Sequence, residues 1–383
     1  MAAGPHTFVD IAPPPPTSHP QRASTLTASF SDTHCRYRGL QLAIVSVRGD
    51  ALSYQQKQQI AREFNHPTTA FLHDAPHYSS RPRKLELFSP GAERNFAAGA
   101  VLGTAQYIFQ NLMNEDDAAS AAFAALPNPS IPTGHTPGAK LTKCALETKA
   151  GVIQAHFDPT RRIAAIDVPV DVHVHAKETP RDEILAVQRS LRASPLVDRM
   201  KASYAVVSIY RGLAFTLVDF TTCPTLISLL QPGETPEPSL DIGWKSAPAS
   251  GASTPTTTIT MTTTTTTKTS PAPVVECYGA VYFIQLQTDF TEEPYITRLV
   301  VRVIAGGVEE AASASGCCAL AAYLALQKGG ASSRHAFAIE QGIEMGRKSQ
   351  LCIDVRLNEQ GTGVVKIMLS GKMTLAMEGR LLL

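Results

Sequence analysis

Apolar positions along this chain fall mainly in short runs of the length of strands, such as QLAIVSV at residues 41–47. Such runs predict one strand at residues 6–11 and a loop over the Pro-, Ser- and Thr-rich residues 13–32. The first half has further predicted strands at residues 41–47, 69–72 and 84–88. The second half has them at residues 145–149, 151–157, 163–168, 205–209, 214–219, 280–286, 297–304, 338–341, 350–357, 364–369 and 373–382.

Helical patterns are fewer. Ser53 and Gln56 form a capping box before an apolar stripe, and residues 182–191 predict a second helix. Residues 98–113 and 314–327 are small and apolar on all sides, which is typical of helices enclosed by other structure. Many strands around few helices predict an α+β fold with two pseudo-symmetric lobes, each a mixed sheet barrel around one central α-helix.

The predicted organisation is an N-terminal lobe at 1–127, a connector at 128–140 and a C-terminal lobe at 141–383. The final strands are free to pack back onto the first lobe. Residues 248–273 are rich in Thr and predict a mobile surface loop, because a polar tract buries too little apolar area to offset its ordering.

Composition excludes several classes of function. The net charge of +1 favours neither nucleic acid nor an anionic membrane, and no run of 18 apolar residues predicts a membrane span. Seven cysteines, without paired spacing, favour reduced thiols and a cytoplasmic location. No zinc, nucleoside triphosphate or dinucleotide motif is found, so we expect no cofactor.

The two small-residue helices begin alike, at Phe96 to Gly103 and at Ala312 to Ala319. First-turn amides lack partners within a helix and carry the positive end of its dipole. Two such starts across a cleft would bind an anionic or carbonyl-bearing small molecule. The alternative interpretation is that small residues merely allow close packing.

Segments spread over nearly the whole chain carry a second signal. They are Phe8-Val9-Asp10, residues 37–45 (YRGLQLAIV), 60–65 (IAREFN), 88–90 (FSP), 96–103 (FAAGAVLG), 307–324 and 340–347 (EQGIEMGR). Together they resemble the phenazine-biosynthesis PhzF-like family, which is related in fold to diaminopimelate epimerase. The resemblance implies a cleft between two similar lobes, a small-molecule substrate and a homodimer.

The chain departs from the family pattern where its chemistry lies. Thr68 stands in place of the family's acid/base glutamate, Gly99 in place of a cleft histidine, and Glu310 in place of an aspartate. A threonine hydroxyl does not accept and return a proton near neutral pH without a strong base beside it. The resemblance therefore implies that the inherited proton shuttle is lost.

Two residues are the catalytic candidates, Glu310 and Thr68. We expect the helix dipole to favour the charged form of Glu310, and its alternative role is to cap the helix. The predicted substrate-binding residues are Gly99, Ala100, Ser313, Ser315 and Gly316. Loss of a side chain at Gly99 is expected to widen the cleft, while the serines are equally suited to capping.

Two further groups are expected to be structural. His173 and His175 face one side of a strand near Asp171, but no cluster of acids accompanies them, so no metal is expected. Arg347 is expected to pair with Glu344 or Glu340.

Three hypotheses about function follow. The first is an enzyme of specialised metabolism that steers an isomerisation, cyclisation or cycloaddition by shape and hydrogen bonding. The second is an acid/base isomerase that uses Glu310. The third is a non-catalytic dimeric binding or scaffold protein.

Overall fold

A computed structural model describes residues 21–28, 39–48, 51–74, 82–112, 143–169, 171–244, 277–286 and 296–381. The predicted strand at 6–11, the connector at 128–140 and the Thr-rich tract at 248–273 lie outside these ranges. Among the helices within them, none is long and apolar enough to cross a membrane.

The helices are α1 (Tyr54–Phe64), α2 (Ala98–Tyr107), α3 (Arg181–Val187) and α4 (Ala314–Lys328). The strands up to α3 are β1 (Gln21–Ala28), β2 (Leu40–Val47), β3 (Thr68–His73), β4 (Arg83–Phe88), β5 (Glu93–Arg94), β6 (Lys143–Thr148), β7 (Gly151–Asp158), β8 (Ile163–Val168), β9 (His173–Val174) and β10 (Thr179–Pro180). Those after α3 are β11 (Ser203–Tyr204), β12 (Val206–Tyr210), β13 (Leu213–Asp219), β14 (Cys277–Gln285), β15 (Ile296–Ala305), β16 (Val308–Glu310), β17 (Arg334–Gln341), β18 (Ser349–Leu357), β19 (Val364–Gly371) and β20 (Thr374–Leu381).

The strands form one long mixed sheet. Its first part runs in the order β20, β1, β2, β3, β4, and β4 pairs in parallel with β6. The sheet continues through β7, β8, β19, β18, β17, β15, β14, β13, β12 and β9. Parallel pairs such as β2–β3 and β15–β17 lie among antiparallel ones, as the α+β prediction requires.

Two sequence predictions are corrected. Residues 21–28, predicted as loop, form β1, because β2 and β20 pair with this segment on both sides and supply backbone partners that its sequence does not indicate. The sheet also does not close into two separate barrels within the described residues, since it runs without interruption from β4 into β6.

The two small-residue helices lie within one apolar core. All ten residues of α2 are buried, and Val101 and Leu102 belong to the same cluster as Leu320 and Ala321 of α4. The helix starts meet there: a Cβ placed on Gly99 would lie 3.8 Å from the Cβ of Ala314. The fold thus brings the two predicted binding segments together in the interior.

The other helices are outside this core. α1 begins at the predicted capping box, in which the backbone N–H of Ser53 donates to the Gln56 side chain at 2.9 Å. The helix predicted at 182–191 is shorter than expected, and a 3₁₀ helix follows it at Arg189–Ala193.

Candidate functional site

The start of α2 is packed against a neighbouring strand. A Cβ on Gly99 would lie 2.8 Å from the Leu40 Cδ2 methyl, and one on Gly103 would lie 2.5 Å from that of Leu42. Leu40 and Leu42 alternate on β2, so both face the helix. The cleft is therefore not widened at Gly99 as predicted, because leucine side chains fill the space that the small residues leave. Ala100 beside it is also buried.

The start of α4 is held by a polar side chain instead. The buried Gln341 accepts from the backbone N–H of Ser313 at 2.9 Å and donates to the carbonyl of Glu310 at 2.6 Å. The hydroxyl of Ser349 donates to the carbonyl of Ala311 at 3.1 Å. The loop between β16 and α4 is thus fixed at three backbone groups.

The first-turn amides of α4 are the groups with binding capacity. Within the described residues we find no acceptor for the N–H groups of Ala314, Ser315 and Gly316. Ser315 is half-buried, while Gly316 is tightly enclosed: a Cβ there would lie 3.2 Å from Val281 and 3.3 Å from Phe215. Its glycine identity serves close packing.

Glu309, beside the candidate acid, is anchored in a buried ion pair. Arg302 donates to both of its carboxylate oxygens, at 2.8 and 2.7 Å, and to the carbonyl of Ile227. Successive side chains of a strand point to opposite faces, so Glu310 faces away from this pair. The bidentate contact fixes the strand that carries Glu310.

Glu310 is a carboxyl group in a poorly solvated position. Burial raises its pKa, and this effect outweighs a hydrogen bond from the Ser313 hydroxyl and the positive charge of Arg94, both of which lower it. Burial thus acts against the helix dipole, which was expected to favour the charged form of Glu310. The group is suited to hold and release a proton.

Thr68 lies at the start of β3 and is buried. Ala70 and Leu72 of this strand pack in the core that contains α2, so by alternation Thr68 faces the same side. His66 precedes it, and burial and the charge of Arg347 lower the pKa of this histidine. Arg347 was predicted to pair with Glu344 or Glu340, but among the described residues it forms an ion pair with neither. Its guanidinium donates to the carbonyl of Gly39, at 3.0 and 2.7 Å.

The predicted site residues at the start of α4 offer polar side chains, whereas those at the start of α2 do not. The Ser313 side chain is close enough to Glu310 to lower its pKa, and Ser315 and Gly316 follow on α4. Gly99 and Ala100 adjoin this group through Ala314 but offer only backbone. Sequence reasoning missed Gln341 and Arg94. Gln341 lies in the segment EQGIEMGR, which indicated a family resemblance but no binding role. No sequence pattern indicated Arg94.

Comparisons with known proteins agree with this fold. Residues 30–153 and 270–379, more than half of the chain, match the family described as phenazine biosynthesis-like protein (PhzC-PhzF). An uncharacterized isomerase of Pasteurella multocida (strain Pm70) is 39% identical over 83 residues, which are 22% of this chain and only 27% of that relative.

Solved structures resemble the chain over nearly its whole length. A PhzF-family phenazine biosynthesis protein of Bacillus anthracis has a TM-score of 0.59 at 13% identity, covering 95% of this chain and 99% of its own. One from Enterococcus faecalis has a TM-score of 0.54 at 13% identity, covering 95% and 100%. A predicted epimerase from Pseudomonas aeruginosa has a TM-score of 0.51 at 16% identity, covering 95% and 99%. At these identities the likeness concerns the fold alone, and it is the family match that shows that the chain belongs to the phenazine biosynthesis-like (PhzC-PhzF) family.

Proposed function

We propose that this protein is an isomerase that moves a proton within a small molecule, with Glu310 as its acid/base group. The observation that carries the proposal is the position of the half-buried Glu310 carboxyl at the end of β16, where burial raises its pKa. The Arg302–Glu309 pair fixes this strand, and Gln341 and Ser349 fix the loop that follows it. A general acid or base is most effective when its pKa approaches the working pH. Membership of the family and the short match to an uncharacterized isomerase support this class of reaction.

The surrounding groups suit this chemistry. In the proposed reaction, Glu310 takes a proton from one carbon of the substrate and returns it to another. The amides of Ser315 and Gly316 and the hydroxyl of Ser313 would stabilise negative charge on a substrate carbonyl or carboxylate. Thr68, on the face of β3 that packs in the core with α2, would donate a hydrogen bond to substrate. Gly99 and Ala100 would contribute backbone amides.

The test is exchange of substrate protons with solvent. The protein would be incubated in D₂O with a panel of small unsaturated acids and cyclic dienes, and deuterium uptake would be followed by NMR. Glu310→Gln removes the transferable proton with little change of shape, and we expect the rate to fall at least about 100-fold. Glu340→Gln is the matched control, because Glu340 pairs with Lys348 on the neighbouring strand. Unchanged exchange in Glu310→Gln would refute the role of this residue.

The alternative is a reaction steered by shape and hydrogen bonding, such as an isomerisation, cyclisation or cycloaddition. The replacement of the family's glutamate by Thr68 and the unpaired amides of α4 favour it. It predicts turnover that survives Glu310→Gln and falls when a bulky residue replaces Ser315. A non-catalytic binding or scaffold role predicts no turnover in either protein and no ligand that raises the melting temperature.

We further propose a two-lobed arrangement divided near residues 128–140, a role in specialised metabolism, a homodimer and a location in the cytoplasm. Support comes from the family resemblance and from the composition of the chain. Gel filtration with light scattering would test the dimer separately from the chemistry.

A further inference from the structure

Three potential metal ligands converge at the edge of the sheet, away from the proposed catalytic group. His173 Nε2 lies 2.8 Å from Asp241 Oδ2, and His175 Nδ1 lies 3.7 Å from the same oxygen. All three ligand atoms lie within 4.8 Å of one another. His175 is fully buried, whereas about a third of the His173 and Asp241 side chains is exposed.

The hydrogen bonds of His175 define its protonation. Its Nδ1 accepts from the backbone N–H of Asp241 at 3.1 Å, so this nitrogen carries a lone pair. The proton of the neutral ring is then on Nε2, which donates to the hydroxyl of Ser208 at 2.8 Å. Metal-binding histidines commonly have this arrangement, in which one nitrogen is anchored by a neighbour while the other faces the ion.

We propose that His173, His175 and Asp241 bind a divalent transition metal such as Zn²⁺. Two imidazoles and a carboxylate are ligands that zinc prefers, with bond lengths of about 2.0–2.2 Å. In tetrahedral geometry such ligands lie about 3.3–3.6 Å apart. The two imidazole nitrogens lie 2.8 and 3.7 Å from the carboxylate oxygen, on either side of this range, and the three ligand atoms lie within 4.8 Å of one another, so the ion would draw them into a tighter cluster. A water molecule would occupy the fourth position from the exposed side.

Binding requires only local rearrangement. When the metal binds, the backbone N–H of Asp241 releases His175 Nδ1. The carboxylate oxygen moves away from His173 by less than about 1 Å, from 2.8 Å to the spacing of tetrahedral ligands. The backbone N–H of Ala176 already points to both carboxylate oxygens, at 3.3 and 3.2 Å, and would keep the carboxylate oriented.

The expected role is structural. The ion would fasten the segment that carries Asp241 and Trp244 to β9. This segment already packs there, since the Trp244 indole stacks on His173 with ring centres 4.5 Å apart. The absence of a metal was predicted because no acid cluster accompanies the histidines in sequence. The nearby Asp171 does not join the histidines, since its Oδ2 lies 3.8 Å from Arg211 Nε. The carboxylate beside them belongs to Asp241, far along the chain.

The test uses the full-length, untagged protein after EDTA treatment and dialysis. Calorimetric titration with ZnCl₂ should show one ion per chain, and Co²⁺ should give the absorption bands of a tetrahedral site. Trp244 is the only tryptophan, so quenching of its fluorescence by Cu²⁺ reports on this position. We expect the zinc affinity to fall at least tenfold in both His173→Ala and Asp241→Asn.

His156→Ala is the matched control, because His156 Nε2 also lies 3.8 Å from an aspartate oxygen, that of Asp167, but within the described residues no third metal-binding side chain joins this pair. Its zinc affinity should equal that of the wild type. Circular dichroism establishes that the nearly isosteric Asp241→Asn variant is folded. The proposal is overturned if the wild type binds no stoichiometric zinc, or if zinc binds to Asp241→Asn as tightly as to the wild type.

Discussion

The starts of α2 and α4 have similar sequences and different surroundings. At α2, leucines from β2 fill the space above Gly99 and Gly103, and the contacts are apolar. At α4, Gln341 binds the backbone on both sides of the turn, and the turn begins at Glu310, a carboxyl group whose pKa burial raises. A run of small residues at a helix start therefore indicates close packing, and only polar groups from elsewhere in the fold make one of the two a candidate site.

The largest effect is expected from removal of Gln341. Gln341→Ala leaves the Ser313 N–H and the Glu310 carbonyl without their partner in a buried position. A buried group without its hydrogen bond costs about 1–3 kcal/mol, so we expect the free energy of unfolding to fall by about 3 kcal/mol in urea. Gln350→Ala, on the adjacent strand and exposed, should change it by less than about 0.5 kcal/mol. Equal losses in the two variants would remove the distinction between the helix starts.

An intermediate effect is expected at the packed start. Gly103→Ala brings a methyl group within 2.5 Å of Leu42 and 2.8 Å of Met373, so two side chains must move. Overpacking costs about 1–3 kcal/mol, and the better helix propensity of alanine offsets about 1 kcal/mol of that. We expect a net loss of about 1 kcal/mol by thermal or urea unfolding.

Gly99→Ala provides the comparison within the same helix. Only the end of the half-buried Leu40 lies close to the new methyl group, at 2.8 Å, so the net change should be near zero. A loss larger than that of Gly103→Ala would mean that Leu40 is held more rigidly than Leu42.

The sequence predicts local features well and remote contacts poorly. β2 and β3 were predicted because each is a short apolar run, buried along most of its length, that the local sequence encodes. The Ser53–Gln56 capping box is equally local. β1 was missed because pairing with β20 stabilises it from the other end of the chain. The same limit applies to the candidate site, since Gln341 binds Glu310 across 31 residues of sequence.

The smallest effect is a dependence of stability on pH, and it tests the candidate acid directly. The pKa of Glu310 is raised by burial, so the folded protein holds this proton to higher pH than the unfolded chain does. Its contribution to stability is therefore most favourable below the unfolded pKa near 4.5 and declines as the pH rises through the higher folded pKa. Glu310→Gln lacks this titration, so its stability relative to the wild type should increase over that window.

Glu340→Gln should show the opposite slope. Burial alone would raise the pKa of Glu340, but hydrogen bonds from Lys348 and Gln350 and nearby positive charge lower it overall. Its carboxylate stabilises the fold above the unfolded pKa, and this contribution is lost as the pH falls through the folded pKa. Relative to the wild type, Glu340→Gln should thus be less stable at neutral pH and equal in acid. Both variants would be measured by urea unfolding between about pH 3 and 8. If their free energies of unfolding, relative to the wild type, change with pH in the same direction, Glu310 is solvated like a surface carboxylate. The start of α4 would then differ from that of α2 in packing alone.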